Sequence, residues 1–210
     1  MKIYHGSKIT IEHPRLKGSD PRNDYGPAFY MTLDLESAHE WACRNDAIGI
    51  VNQYDFNMDG LKILDLREYS VLNWLAILMH YRELEKSFIN AFSYRLKVLD
   101  DKYYIDVEQY DVVIGYRADD AYFRYPLDFI RGNITLEQLE QSFKMGDLGV
   151  QHVLISEKAI NKLRFVKSFH SEEKYLGKYF NRVLEATRSF NNLDKDSDGT
   201  RIQDIIRQQK

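Results

Sequence analysis

His5, Gly6 and Ser7 follow one another at the end of a short apolar stretch near the start of the chain. An imidazole, a residue without a side chain and a hydroxyl at one strand end can hold a polar ligand close to the backbone. Tyr30 follows in the stretch "YGPAFYMT", residues 25–32, where a turn leads into a second β-prone segment. Taken singly, each of these residues is more typical of an ordinary strand position than of a functional site.

Two neighbouring carboxylates, Asp119 and Asp120, follow directly after a continuous apolar run. Side chains at a strand-to-helix junction often line a site. A carboxylate there can also cap the helix and interact with its dipole, which contributes roughly 0.5–2 kcal/mol. Both interpretations stay open. Arg117, Arg124 and Arg131 recur at seven-residue spacing, which is compatible with a phosphate-binding helix face and more typical of a solvated one.

The sequence carries no familiar metal-binding or nucleotide-binding motif. A single cysteine, Cys43, excludes an internal disulfide and a Cys-x-x-Cys site, and HExxH, Walker and Gly-x-Gly-x-x-Gly motifs are absent. Residues 194–205 begin like a calcium-binding loop, with Asp194 at position one. However, Ile205 occupies position twelve, where a bidentate glutamate is required. We therefore expect a solvated turn there and no metal cofactor.

The composition is that of an ordinary globular protein. The chain has 210 residues, of which 44% are hydrophobic and 29% charged, so it can bury one substantial core. Its net charge of −3 gives no bulk electrostatic support for nucleic-acid binding. No apolar run reaches eighteen residues, and the N-terminus lacks the apolar segment of a signal peptide. We therefore expect a cytoplasmic protein with no membrane partner.

Strand and helix signals mix without a regular βαβ repeat, which predicts an α+β fold with mainly antiparallel sheets. The predicted strands span 2–5, 28–32, 48–56, 61–66, 111–116, 148–156 and 164–169. The predicted helices span 35–45, 71–91, 118–132 with an interruption at Pro126, 135 to about 144, and 157–163. Their expected caps are Asp34, Ser70, a Thr135–Gln138 capping box, and Gly132 as a helix end. From about 171 onward the composition favours helices, so we divide the chain into a domain, 1–170, and a C-terminal helical extension, 171–210.

Four motifs in order carry a resemblance to a known superfamily. They are "YHGS" (4–7), "YGPAFYMTLDLESAHEWA" (25–42), "DVVIGYRADDAYF" (111–123) and "QHVLISEKAINKLRF" (151–165). The chain resembles the ADP-ribosyltransferase superfamily, in its diphtheria-toxin and poly(ADP-ribose) polymerase branch. It is most similar to small bacterial ADP-ribosyltransferase-like proteins with a His-Tyr-Gln motif. The resemblance implies two small, mainly antiparallel sheets around an NAD⁺ cleft, with a helical insertion at about 70–100.

The resemblance also implies roles for individual residues. His5 would donate hydrogen bonds to the adenosine ribose, and Gly6 would offer its backbone to the nicotinamide amide. Ser7 would place a hydroxyl near the same amide, and Tyr30 would stack on the nicotinamide ring. Trp41 would close the other face of that ring, although a helix residue facing the core is an equally good interpretation.

Gln151 departs from the pattern of the superfamily, because the third motif normally supplies a glutamate. An amide can hold the ribose 2′-hydroxyl, but it cannot accept a proton as a general base. Losing a positioned base typically removes a factor of about 10² to 10⁴ in rate, which disfavours synthesis of long polymers. Asp119 and Asp120 are the sequence candidates for a replacement carboxylate.

The function that the resemblance implies is mono-ADP-ribosyl transfer, a glycosyltransferase reaction. NAD⁺ would be consumed, nicotinamide released, and a protein or nucleic acid modified. Two alternatives stay open. One is a catalytically silent NAD⁺ or nucleotide sensor, because Gln151 replaces the glutamate. The other is a toxin-like or phage-defence effector that an antitoxin-like partner protein holds in check, with the C-terminal helix as a docking element.

Overall fold

The computed structural model describes residues 1–17, 19–118, 123–142, 149–194 and 198–208. These residues form seven strands in one mixed sheet and eight α-helices, so the predicted α+β class is confirmed. The strands are β1 (Lys2–Ser7), β2 (Phe29–Thr32), β3 (Ile50–Phe56), β4 (Ile63–Asp65), β5 (Val112–Tyr116), β6 (Val150–Leu154) and β7 (Leu163–His170). The helices are α1 (Leu35–Ala42), α2 (Val71–Tyr81), α3 (Lys86–Tyr103), α4 (Arg124–Arg131), α5 (Leu136–Ser142), α6 (Glu157–Ile160), α7 (Lys178–Asn191) and α8 (Ile202–Arg207).

The strands lie in the order β4-β5-β6-β2-β1-β3-β7, and every neighbouring pair is antiparallel except β4 with β5. The expectation of two separate sheets is therefore wrong, whereas the mainly antiparallel pairing is confirmed. The two halves meet through a single residue pair, Tyr4 opposite Thr32. By contrast, β1 forms six pairs with β3, and β2 forms four with β6. The sheet is thus one ladder with a weak seam between β1 and β2.

Apolar side chains cover both faces of this sheet. One face packs against α2 and α4 and includes Val113 of β5 and Val153 of β6. The other face carries a smaller cluster that includes Ile3, Tyr54 and Leu154. Successive residues of a strand point to opposite faces, so adjacent residues such as Val153 and Leu154 enter different clusters. Burial on both faces explains why these strands appear as continuous apolar runs in the sequence.

Helix α1 lies directly on β1. Asp34 caps it, because its carboxylate accepts hydrogen bonds from the backbone N–H groups of Glu36 and Ser37 at 3.3 and 2.8 Å. Small residues then allow a close approach: a Cβ on Gly6 would lie 2.3 Å from the carbonyl oxygen of Ala38. The helix therefore holds a fixed position against the strand end that carries His5.

The single helix predicted over 71–91 is wrong. Ser70 caps α2 as expected, but α2 ends at Tyr81, and α3 begins at Lys86. The helix ends where Arg82 adopts an extended backbone conformation, although no glycine or proline occurs at this point in the sequence. The amide of Asn73 donates to the carbonyl of Tyr103 at 2.8 Å, so the end of α3 returns to the start of α2. Helices α2 and α3 therefore form a helical hairpin in place of the one long helix that was predicted.

The capping signals in the following helices are confirmed. The Thr135 N–H donates to the Gln138 side chain at 2.9 Å, and the Gln138 N–H donates to the Thr135 hydroxyl at 3.2 Å. Gly132 ends α4 with a φ of 84°. Pro126 lies in the first turn of α4, where its missing N–H has no intrahelical partner to lose. Residues 119–122 of the predicted helix lie outside the described residues.

The C-terminal segment contributes to the main core instead of lying on its surface. Ala186 and Phe190 of α7 and Ile202 and Ile205 of α8 are buried in the larger apolar cluster. The Phe190 ring meets the buried ring of Tyr125 edge to face, with centroids 4.9 Å apart. The extension therefore completes the fold. Among the described residues, no helix is both long and apolar enough to cross a bilayer.

Candidate functional site

A cavity of about 750 Å³ lies at the seam between β1 and β2. This volume is within the range of small-molecule and cofactor sites. Among its lining residues are His5, Gly6, Tyr30, Trp41 and Gln151, so five of the predicted site residues come together. Ser7 is not one of the lining residues, and Asp119 and Asp120 lie outside the described residues.

The weak seam explains how the cavity reaches both faces of the sheet. Thr32 pairs with Gln151, and Tyr30 pairs with Val153, so Tyr30 and Gln151 are diagonal neighbours on one face. Tyr4 is the residue opposite Thr32, which places His5 on the other face. A ligand at the seam can therefore contact Tyr30 and Gln151 from one side and His5 from the other.

The environment of His5 defines its protonation state. Its Nδ1 lies 2.7 Å from the carbonyl oxygen of Tyr30, and a carbonyl can only accept, so Nδ1 carries the proton. The ring stacks on Phe29 with centroids 4.4 Å apart. Burial lowers the pKa of His5 below its usual 6.5, so the ring is neutral at pH 7. Its Nε2 then presents a lone pair, which makes this atom a hydrogen-bond acceptor.

The Ser7 hydroxyl is engaged in the protein itself. It donates to the carbonyl of Ile9 at 2.5 Å and accepts from the Nδ2 of Asn52 at 2.9 Å. Asn52 is fully buried, and its Oδ1 accepts the Ile11 N–H at 2.8 Å. Ser7 and Asn52 together fix the chain that leaves β1 along one rim of the cavity. The predicted contact of Ser7 with a ligand stays a prediction.

Substituting Asn52 and Ser7 one at a time compares the contributions of the buried and the more exposed residue of this network to stability. Asn52→Ala leaves the Ile11 N–H without its partner, so we expect the free energy of unfolding to fall by about 2 kcal/mol. Ser7→Ala removes one partly exposed hydroxyl and should lower it by about 1 kcal/mol or less. Urea unfolding of both variants measures the difference. Equal effects would contradict a network centred on Asn52.

Tyr30 is fixed across the turn that precedes it. Its hydroxyl donates to the carbonyl of Gly26 at 2.7 Å and accepts the N–H of Tyr25 at 3.1 Å. Burial raises the pKa of Tyr30 well above its usual value, so the hydroxyl stays protonated. Gly26 has a φ of 76°, and a Cβ there would lie 2.5 Å from the Tyr81 ring. The turn therefore positions the Tyr30 ring in the cavity. The Tyr30 hydroxyl, which stays protonated and hydrogen-bonded to the backbone, has no acid–base role.

Positive charge predominates along the cavity. Its lining includes five cationic side chains and two carboxylates, Asp20 and Asp24, although the whole chain is negatively charged. The cations are Arg15, Lys17, Arg44, Arg82 and Arg117. Such a lining attracts an anionic ligand.

Trp41 lies within this cationic lining. The guanidinium carbons of Arg44 and Arg117 are 4.2 and 4.1 Å from the centre of its ring. Arg117 is buried, whereas Arg124 and Arg131 lie on α4 beside Phe190 and Asp128. The seven-residue spacing of the three arginines therefore does not create one shared face, and only Arg117 lines the cavity.

Asp24 is the residue that the sequence interpretation missed. It is 7% exposed, and its Oδ2 accepts the Ala118 N–H at 3.0 Å. The Nε2 of Gln151 lies 3.4 Å from the same oxygen, and Arg82 lies 3.5 Å from Oδ1. Burial is the largest influence and raises the pKa of Asp24 to about 6, although Arg82 and the hydrogen bonds act in the opposite direction. In the sequence, only its position immediately before "YGPAFYMT" could have drawn attention to it.

The described residues include no group of three or more His, Cys, Asp or Glu side chains that could hold a metal ion. In the loop that resembles a calcium site, Asp196 lies outside the described residues. The backbone carbonyl of Asp194 accepts a hydrogen bond from Gln138 at 2.6 Å, which ties the start of this loop to α5.

A family model described as "Protein of unknown function (DUF3990)" matches residues 1–165, well over half of the chain. The chain belongs to the DUF3990 family. No curated protein and no solved structure matches the chain. The DUF3990 match contains every residue that lines the cavity and ends within β7. The described lining of the cavity therefore belongs to the DUF3990 part of the chain, whereas α7 and α8 lie beyond that part.

Proposed function

We propose that this protein is an NAD⁺-dependent mono-ADP-ribosyltransferase. It transfers ADP-ribose to an acceptor and releases nicotinamide. The observation that carries the proposal is the meeting of His5, Tyr30 and Gln151, from three strands, in one cation-lined cavity. These are the three positions at which the sequence resembles the His-Tyr-Gln motif of ADP-ribosyltransferase-like proteins.

The charge and the aromatic lining of the cavity suit a dinucleotide. NAD⁺ carries two phosphate groups, and a guanidinium group binds phosphate oxygens through paired N–H donors. Arg44 and Arg117 beside Trp41 place such donors next to an aromatic surface. The rings of Tyr30 and Trp41 are available to pack on the nicotinamide or the adenine.

The tautomer of His5 refines the role that the resemblance implies. Because Nδ1–H donates to Tyr30, the free Nε2 accepts a hydrogen bond from a ribose hydroxyl instead of donating one. His5 then positions the ligand in its neutral form and does not titrate between pH 7 and 8. Gln151 can accept from, or donate to, a hydroxyl of the other ribose through its side-chain amide.

Calorimetric titration with NAD⁺ tests this proposal. We expect wild-type protein to bind NAD⁺ and His5→Ala to raise Kd about tenfold, because the ligand loses the hydrogen bond that the Nε2 of His5 accepts in the proposed complex. His170→Ala is the matched control, because this exposed histidine ends β7 outside the cavity, and its Kd should stay that of wild type. Absence of NAD⁺ binding to folded wild-type protein would overturn the proposal.

Gln151 supports a second candidate function, a sensor that binds NAD⁺ without transferring it. An amide cannot accept the proton that an acceptor must lose. Incubation of the protein and a cell lysate with NAD⁺ labelled in its adenylate portion distinguishes the two functions. Label on a macromolecule that disappears with Tyr30→Ala supports transfer, whereas NAD⁺ binding without any label supports the sensor.

A further inference from the structure

The transfer reaction needs a group that Gln151 cannot provide. An acceptor hydroxyl must lose its proton as its oxygen bonds to the ribose, and only a base in reach can take it. We propose that Asp24 is this base, while Gln151 holds the ribose, so that two residues share the work of one glutamate. This inference rests on the proposed function and adds the catalytic carboxylate and the class of acceptor, a hydroxyl group or water.

The position of Asp24 supports this division of work. Its carboxylate lies in the cavity beside the Gln151 amide, with 3.4 Å between Oδ2 and Nε2. The Ala118 N–H, in the segment that follows β5, lies 3.0 Å from the same oxygen and helps to fix the direction of the carboxylate. The two donors on Oδ2 hold the Asp24 carboxylate in the lining of the cavity, next to the residue that we expect to hold the ribose.

The surroundings of Asp24 suit a base that works near neutral pH. Arg82 faces it from the end of α2, and Arg117 faces it from the chain after β5. The rings of Tyr25 and Tyr30 complete the enclosure, and both hydroxyls stay protonated because burial raises the pKa of each. The pKa of Asp24, about 6, leaves the carboxylate ionised at pH 7 and still basic enough to accept a proton.

The other carboxylate in the described lining of the cavity does not suit the same role. Asp20 is exposed and forms a salt bridge with Arg22, whose Nε lies 3.0 Å from its Oδ1. This hydrogen bond holds the pKa of Asp20 below its usual value, which makes it a weaker base. Asp24 is therefore the described carboxylate that combines burial, a raised pKa and contact with Gln151.

The step balances without any further reactant. The acceptor oxygen forms a bond to C1′ of the ribose as the bond from C1′ to the nicotinamide nitrogen breaks. The electron pair of that bond stays with nicotinamide, which leaves as a neutral molecule. The proton of the acceptor passes to Asp24 and then to water. The products are nicotinamide, ADP-ribosylated acceptor and one proton.

The test compares Asp24→Asn with wild type in NAD⁺ binding and in nicotinamide release. The asparagine can still accept the Ala118 N–H but cannot take a proton. We expect Kd for NAD⁺ to stay within about threefold and nicotinamide release to fall about 10²- to 10⁴-fold. Asp24→Glu, which keeps a carboxylate, should retain activity within about tenfold of wild type. Asp59→Asn, in an exposed turn outside the cavity, is the matched control and should release nicotinamide at the wild-type rate.

The pH profile of wild-type protein supplies a readout that a purely structural role would not change. Asp24 must be ionised to act, so nicotinamide release should decline about tenfold per pH unit below pH 6. A flat profile between pH 5 and pH 7 would overturn the assignment even if Asp24→Asn failed to fold. The profile does not depend on the stability of any variant.

The outcomes separate this inference from the proposed function. If wild-type protein binds no NAD⁺, the proposed function and this inference both fail. If it binds NAD⁺ but releases no nicotinamide, NAD⁺ recognition stands and the assignment of Asp24 as a general base is overturned. If wild type and Asp24→Asn release nicotinamide equally fast, transfer stands and only the assignment of Asp24 is overturned.

Discussion

Gly6→Ala is expected to lower the free energy of unfolding by about 3 kcal/mol or more, because a Cβ at this position has no room. It would lie 2.3 Å from the Ala38 carbonyl oxygen and 2.6 Å from the Ala42 nitrogen. Both are backbone atoms of α1, so no side-chain rotation relieves the clash. The helix must move away from β1, and Trp41, on the same helix, moves with it.

Gly60→Ala is the matched control for this prediction. Gly60 has a φ of 76° and nothing within 4 Å of its missing Cβ, so alanine there meets backbone strain alone, about 1–2 kcal/mol. Urea unfolding measures the free energy of unfolding of both variants and so compares the steric clash in Gly6→Ala with the backbone strain in Gly60→Ala. If Gly6→Ala were no less stable than Gly60→Ala, the close packing of α1 on β1 would be contradicted.

Arg182→Met is expected to cost about 3–5 kcal/mol of unfolding free energy. Arg182 of α7 forms an ion pair with Glu40 of α1, and their side chains are only 9% and 14% exposed. Burial lowers the pKa of Arg182 to about 10, because a guanidinium group loses hydration at this position. Removing the arginine leaves the Glu40 carboxylate buried next to an apolar side chain. Chemical unfolding at pH 7 measures the loss.

The double variant Glu40→Leu/Arg182→Met distinguishes the ion pair from other effects of the substitution. Replacing both partners with apolar groups of similar size leaves no buried charge, so we expect most of the lost stability to return. If the losses of unfolding free energy caused by the two single substitutions simply added in the double variant, the two residues would not be energetically coupled. Lys97→Met is the control, because its pair with Asp101 is exposed and should contribute less than about 1 kcal/mol.

Local signals in the sequence predicted most of the elements correctly. Asp34, Ser70 and the Thr135–Gln138 pair cap helices at the expected places, because a cap depends on residues within one turn. The end of α2 at Tyr81 could not be predicted in this way. Residues 82–85 include no glycine or proline, and the break depends on α3 returning along α2. The joining of the two half-sheets at Tyr4 and Thr32 is equally nonlocal.

The residues of the candidate site likewise fall into those that the sequence could predict and those that depend on tertiary contacts. His5, Tyr30 and Gln151 were predicted as site residues from motifs that resemble those of the ADP-ribosyltransferase superfamily, and each lies in a strand that the sequence pattern also predicts. Asp24 lies in an irregular loop, and Arg82 follows a helix end, so their convergence on the cavity depends on tertiary contacts. The direction of the Ser7 hydroxyl likewise depends on Asn52, which lies forty-five residues further along the chain.

The packing of the C-terminal helices has a consequence for folding during synthesis. Every described residue that lines the cavity has been synthesised once residue 151 is made. The core beneath the cavity still lacks Phe190 and Ile202, and β7 has yet to complete the edge next to β3. A nascent chain therefore contains the described cavity-lining sequence well before it can hold that sequence in place. We expect the site to become competent only after α8 has emerged, which would delay any activity until the fold is closed.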